Sequence, residues 1–313
     1  MPRIPFFQCS RRDVLAGAAA TFGGAVFGAR RAEARAPATL QLGDGTVTVV
    51  SDGGLTLPFS FLLPDRSGDE ITALLQPHGL PADAVTPDCN LTLFRLGSRL
   101  VLFDAGAGPL FQDTAGKILD SLGTVGVDPS DITDVVFTHA HPDHIWGVID
   151  DFEELVFGDA AYWISEAEWD FWQADGTLEA MPEARQSFVV GARNRFDTIE
   201  DQIMFFKPGD EILPGIEAVD SSGHTPGHTS FMLHGGGESA LVTGDAMTHP
   251  VISFERPDWQ IGTDQDQEKG VQTRMALLDR LEADQTAMIG FHMPYPGIGT
   301  VERAGDAYRF MPA

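Results

Sequence analysis

The chain has 313 residues, room for one large domain or two ordinary ones, and 43% of them are apolar, enough for a sizeable core. Against 20 Lys and Arg stand 46 Asp and Glu, a net charge of −26. A surface this acidic repels phosphate backbones and anionic membranes, which sets aside nucleic acid as a partner and leaves a small-molecule substrate. Such a surface fits a salty external medium, where charge is screened, or simply an acidic solvated face.

The first segment reads as a targeting sequence. Arg11 and Arg12 precede an Ala/Gly-rich apolar run from Val14 to Phe27, and Ala32-Glu33-Ala34 supplies small residues at cleavage spacing. Residues 1–34 are expected to be a cleaved twin-arginine export signal, followed by a single domain over residues 35–313. The run is too short and too rich in Gly and Ala for a stable membrane anchor. A periplasmic or secreted location follows, with metal acquired before export. Removing residues 1–34 takes away Cys9 and leaves Cys89 alone, so no internal disulfide is expected. Cys89 reads as a small buried residue, with no His or Asn arranged around it.

Beyond the signal, short β-rich runs alternate with a few helical stretches. Thr46–Val50 and Leu100–Phe103 are strands, with Asp52-Gly53-Gly54 and Asp104-Ala105-Gly106 expected as the turns that close them. Leu57–Pro64 is apolar and bounded by prolines. It reads either as a wall for an apolar or aromatic substrate or as a packing or homodimer contact. Strand 134–138 runs into His139, strand 216–219 leads to His224, strand 240–243 to Asp245, and strand 287–290 to His292. Helical periodicity covers 166–172, 183–195 and 267–281. Trp163, Trp169, Trp172 and Trp259 read as core or interface aromatics. Layered α/β domains gather strand ends along one edge, where ligand sites sit, so the four strand-end His and Asp residues are expected to converge.

The densest chemistry is Thr138-His139-Ala140-His141-Pro142-Asp143-His144. In an extended stretch His139 and His141 point the same way, and Pro142 then turns Asp143 and His144 into the same space. Imidazoles with a carboxylate suit Zn, and also Mn, Fe or Co.

The segment His-x-His-x-Asp-His resembles the signature of the metallo-β-lactamase-fold hydrolases. Ser222-Gly223-His224-Thr225-Pro226-Gly227-His228 is similar to that family's Gly-His-Thr-x-Gly-His loop, Thr243-Gly244-Asp245 to its bridging aspartate, and Gly290-Phe291-His292 to its last histidine. The resemblance implies a four-layer αββα sandwich with two central mixed β-sheets. It implies two divalent metal ions per chain, one on His139, His141 and His224 and one on Asp143, His144 and His292, with Asp245 bridging. A hydroxide between the metals would attack an ester, lactone or organophosphate triester. Asp143 and Asp245 would be the catalytic residues, Asp143 shuttling a proton. The finer resemblance is to the exported branch that includes methyl parathion hydrolase-like and lactonase-like enzymes. Acyl-homoserine lactonases often carry a tyrosine shortly after the bridging aspartate, where this chain has Thr248. The alternatives are an enzyme like the mononuclear-iron persulfide dioxygenases, or a non-catalytic metal-binding scaffold. His228 is expected to donate a hydrogen bond that orients a ligand, and His249 to line the pocket. His78 and His234 are expected at the surface or in loops.

Overall fold

The computed structural model describes residues 36–313; the twin-arginine reading falls outside the described residues. In chain order the strands are β1 (Ala38–Leu42), β2 (Gly45–Gly54), β3 (Leu57–Pro58), β4 (Ala84–Val85), β5 (Asp88–Leu96), β6 (Arg99–Phe103), β7 (Asp134–Val136), β8 (Ala161–Ser165), β9 (Ile203–Phe206), β10 (Glu211–Leu213), β11 (Ile216–Asp220), β12 (Thr229–Gly235), β13 (Glu238–Gly244), β14 (Ala287–Gly290), β15 (Ile298–Ala304) and β16 (Ala307–Pro312). They form two seven-stranded sheets, β1-β2-β5-β6-β7-β8-β9 and β10-β11-β12-β13-β14-β15-β16, beside the small pair β3-β4. Both large sheets are mixed. In the first, β6, β7, β8 and β9 run parallel, and in the second β13 is parallel to β14.

Strand periodicity explains the layering. Along β6, Val101 and Phe103 point into a core shared with Phe231, Leu233, Val242 and Ile289 of the second sheet. Leu100 and Leu102 point the other way, onto Leu122, Val189 and Phe196, carried by or beside α3 (Ile118–Thr124) and α7 (Gln186–Ile199). Residues two apart share a face of a strand, so each buried strand feeds two cores at once. The outer face of the second sheet packs Met232, Leu241 and Met288 against Leu277, Leu278 and Leu281 of a long helix, α9 (Gln267–Asp284). The order helix, sheet, sheet, helix is the four-layer sandwich that the motifs imply.

Three local readings need correction. Asp52-Gly53-Gly54 does not close a strand: it lies inside β2 at a register shift, with Gly53 at φ 95°. The fully buried Asp52 carboxylate there accepts backbone hydrogen bonds from Ala107, Gly116 and Ile118. Strand 134–138 is shorter than expected, because the Thr138 N–H turns to the Asp104 carboxylate at 2.8 Å instead of joining the ladder. The helix expected over 183–195 is a 3₁₀ turn at Glu183–Arg185 running into α7. Trp172 is core, fully buried; Trp163 is half-buried with its indole N–H on Asp134. Among the described residues no helix is long and apolar enough to cross a membrane.

Candidate metal centre

The sequence from β7 onward folds as the chemistry requires. After Thr138 leaves the ladder, Pro142 occupies the first turn of a short helix, α4 (Pro142–Ile145), where its missing N–H costs nothing. That turn swings Asp143 and His144 under His139 and His141. The loop after β11 delivers His224 and His228, β13 delivers Asp245, and β14 delivers His292. Gly244, the last residue of β13, has φ 50° and no room for a side chain: an added Cβ would lie 2.6 Å from His228 Nε2.

All seven expected ligand residues are buried and brought together. His141 Nδ1 lies 2.9 Å from both His139 Nε2 and His224 Nε2. His292 Nε2 lies 3.3 Å from Asp143 Oδ2, and His144 Nε2 lies 3.6 Å from the same oxygen. Asp245 stands between the two groups: Oδ2 is 3.3 Å from His224 Nε2 and from His292 Nε2, and Oδ1 is 3.3 Å from His144 Nε2.

The far side of each ring decides what its near side can do. His224 Nδ1 faces the Asp264 carboxylate at 2.9 Å, His144 Nδ1 faces Asp104 at 2.8 Å, and His292 Nδ1 donates to the Asp88 carbonyl at 3.0 Å. Thr138 Oγ1 donates to Asp104, so it accepts from His139 Nδ1 at 3.0 Å. In the neutral rings, the proton therefore sits on the outward nitrogen, and four Nε2 lone pairs converge inward. Lone pairs facing one another at such distances repel unless a cation lies between them. Asp143 Oδ2, Asp245 Oδ1 and His144 Nε2 are buried without a hydrogen-bond partner, as atoms reserved for metal would be. The donor set of imidazoles and carboxylates fits divalent Zn, Mn, Fe or Co.

The electrostatics sort the histidines into two kinds. Burial, then the neighbouring rings, push His139 and His141 well below the ordinary histidine value. Burial opposes protonation of His144 too, but Asp245, Asp104 and Asp143 outweigh it and lift the ring to about 10. His292 is likewise raised, burial being overcome by Asp245 and Asp143. Asp143 and Asp245 are held below the usual carboxylate range, since His144 and His292 outweigh the cost of burial.

His228 stands outside the cluster, and its hydrogen bond runs opposite to expectation at the end that matters. Its Nδ1 donates to the Ser221 carbonyl at 3.1 Å, and its Nε2 accepts from the Asp245 backbone N–H at 2.9 Å. Burial lowers it to about 3, so it stays a neutral acceptor that fixes the Asp245 backbone. His249 Nδ1 accepts from the Val251 and Ile252 N–H groups, and the residue lines a cavity beside His292 together with Thr248. His78 pairs with Glu255 and the exposed His234 with Glu217.

Three carboxylates that position the cluster escape a reading of the sequence. Asp104 follows β6 at φ 62° and holds His144, Thr138 and, through Thr138, His139. Asp264 bridges His224 and Arg274. Glu168 takes four donors: Ala140 N, Trp172 Nε1, Thr225 Oγ1 and Gly227 N. It thereby ties the first histidine loop to the second. The reading that Cys89 has no histidine near it is also corrected, since its thiol, Asp143 and His292 offer donor atoms within 4.8 Å of one another. Burial pushes that thiol up to about 12, which makes it inert as a nucleophile, in keeping with a small buried residue.

The model of the metallo-beta-lactamase superfamily matches residues 86–291, more than half of the 313-residue chain. The chain belongs to that superfamily and carries its hydrolase fold. Metallo-beta-lactamase domain-containing protein 1 of Xenopus laevis is 30% identical over 201 residues, 63% of this chain and 68% of that protein. The Mus musculus protein of the same name is 36% identical over 95 residues, a stretch that spans only 35% of its length. Among solved structures, AidC, a dizinc quorum-quenching lactonase in complex with a product, superposes with a TM-score of 0.84 at 27% identity, covering 88% of this chain and 97% of that one. The hydrolase AbOPH gives 0.82 at 27% identity, with the same coverage.

Proposed function

We propose that this chain is a dinuclear metal-dependent hydrolase acting on ester, lactone or phosphotriester bonds, in the lactonase-like branch of its superfamily. The observation that carries the reading is the place of Asp245, whose two carboxylate oxygens reach rings from both groups of donors. His139, His141 and His224 would hold one ion, Asp143, His144 and His292 the other, and Asp245 both. Two such ions supply a water acidified to near neutrality and polarise the bond to be cut.

The chain's own residues do the rest. Asp104, Asp264 and the Asp88 carbonyl keep the His144, His224 and His292 lone pairs turned inward, so the donors are arranged before anything binds. His228 holds the Asp245 backbone. Asp143 borders the cleft, where the carboxylate oxygen not given to metal would take a proton from water and pass it to the leaving group. Leu57 and Phe61 of the proline-bounded segment line the same cleft and exclude water from it. Thr248 lines the neighbouring cavity beside His249 and His292 and lacks the phenol with which a tyrosine would assist a substrate carbonyl.

Purification with native metal, elemental analysis and parallel assays on a lactone, an aryl ester and a phosphotriester test this reading. About two ions per chain, turnover of at least one class, and loss of turnover together with one ion in Asp245→Ala are expected. A single ion with no turnover of any class would sink it.

A further inference from the structure

The cleft over the donor cluster is walled by Leu57, Phe61, Phe111 and Phe188, yet one cation, Arg185, is set into this apolar wall. The cation is fixed. Its guanidinium lies 4.7 Å from the centre of the Phe61 ring, and one nitrogen donates to the Gly262 carbonyl. Among the described residues Arg185 has no carboxylate within ion-pair distance; Arg95, Arg193, Arg195, Arg256 and Arg309 share that lack, but of these arginines Arg185 alone lines this cleft. Asp264, whose charge reaches Arg185, is already engaged by His224 and Arg274. His141 of the donor cluster lines the same cleft as Arg185.

An uncompensated guanidinium in an apolar wall is a constraint on what enters. A neutral apolar body closing over it strips away water and offers nothing in return, whereas an anionic oxygen replaces that water with a charge-assisted hydrogen bond. General attraction cannot supply the selection, because the chain carries a net charge of −26 and repels anions at long range. The contact must be local. We propose that Arg185 is a specificity-determining residue, selecting substrates with an apolar or aromatic body and an anionic oxygen remote from the bond to be cut. This rests on the hydrolase reading of the same cleft.

The test compares 4-phenylbutane-1-sulfonate with 4-phenylbutan-1-ol as ligands of the metal-loaded protein, by calorimetry; a sulfonate is a poor metal ligand, so it reports on the arginine. The sulfonate binds more tightly than the alcohol. Arg185→Gln erases that preference by about tenfold to a hundredfold, the range of one charge-assisted hydrogen bond. Arg185→Lys, which keeps the charge, retains most of it. The kcat/KM ratio for paired aryl esters with and without a remote sulfonate moves in parallel. Equal binding of the two ligands by the native protein, or a sulfonate preference unchanged in an Arg185→Gln variant of native melting temperature, overturns the proposal. Arginine-dependent sulfonate binding without turnover of any ester, lactone or phosphotriester would leave this anion site standing and remove the hydrolase reading. Ester turnover without the preference would do the reverse.

Discussion

Asp104→Asn is the sharpest probe of how the donor cluster is prepared. The native carboxylate accepts from Thr138 N at 2.8 Å, Thr138 Oγ1 at 2.9 Å and His144 Nδ1 at 2.8 Å. Asparagine is nearly isosteric and tolerates the positive φ of this position, so the backbone need not move. What changes is the hydrogen-bond arithmetic. An amide offers one accepting oxygen and a nitrogen that only donates. If that nitrogen faces His144 Nδ1, the ring must move its proton to Nε2, and the inward lone pair is lost. If it faces Thr138 instead, it meets the backbone N–H, and a buried donor is orphaned. Outer hydrogen-bond partners of metal-binding histidines are worth about tenfold to a hundredfold in affinity. That corresponds to about 1.4–2.7 kcal/mol. Competition against a fluorescent chelator at fixed pH measures it directly. The ion held by His144 should weaken by that factor, while the ion held by His139, His141 and His224 keeps more of its affinity. Two ions bound as tightly as in the native protein would refute the idea that Asp104 sets the His144 tautomer.

Two further outcomes follow from the same geometry. Without metal, His144 and His292 are lifted and so carry protons at neutral pH, while His139 and His141 are lowered and neutral, and Asp143 and Asp245 are already ionised. Metal uptake at pH 7 should therefore expel about two protons, from His144 and His292, and affinity should fall as pH drops because protons compete for those rings. Calorimetry in buffers of different ionisation enthalpy counts them, and no net release would contradict this charge assignment. Glu168→Gln replaces an acceptor of four donors with an amide that leaves about two of them facing N–H groups. At about 1–3 kcal/mol for each orphaned donor, unfolding free energy should drop by about 2–6 kcal/mol; a urea midpoint within error of the native one would show that the clamp is dispensable.

What the sequence shows and what it hides divide along a physical line. The segment from His139 to His144 is legible because one strand, one proline and one turn of helix deliver four donor side chains within six residues, and no other use of that composition is common. The later candidate ligands are legible because each follows a short apolar strand by at most four residues, and strand ends meet at one edge of the sandwich. The two sheets are legible through the family resemblance, because an unbroken apolar run such as Leu100–Phe103 marks a strand buried on both faces without saying which face meets which core. Asp104, Glu168 and Asp264 are hidden because each is one of 46 acidic residues, and nothing local separates a clamp from a solvated surface charge. Only Asp104 leaves a trace, an aspartate at the end of a fully apolar strand, and that same position invites the turn reading that Asp52 shows to be unsafe. Arg185 is hidden by a different route. Its residue type is ordinary, and its meaning comes from where it stands, in the apolar wall of the cleft with no carboxylate at ion-pair distance, which only the folded arrangement reveals. The candidate ligands are thus marked by chemistry that sequence spacing records, whereas their tautomers, and the cation set into the cleft wall, are fixed by contacts between segments far apart in the chain.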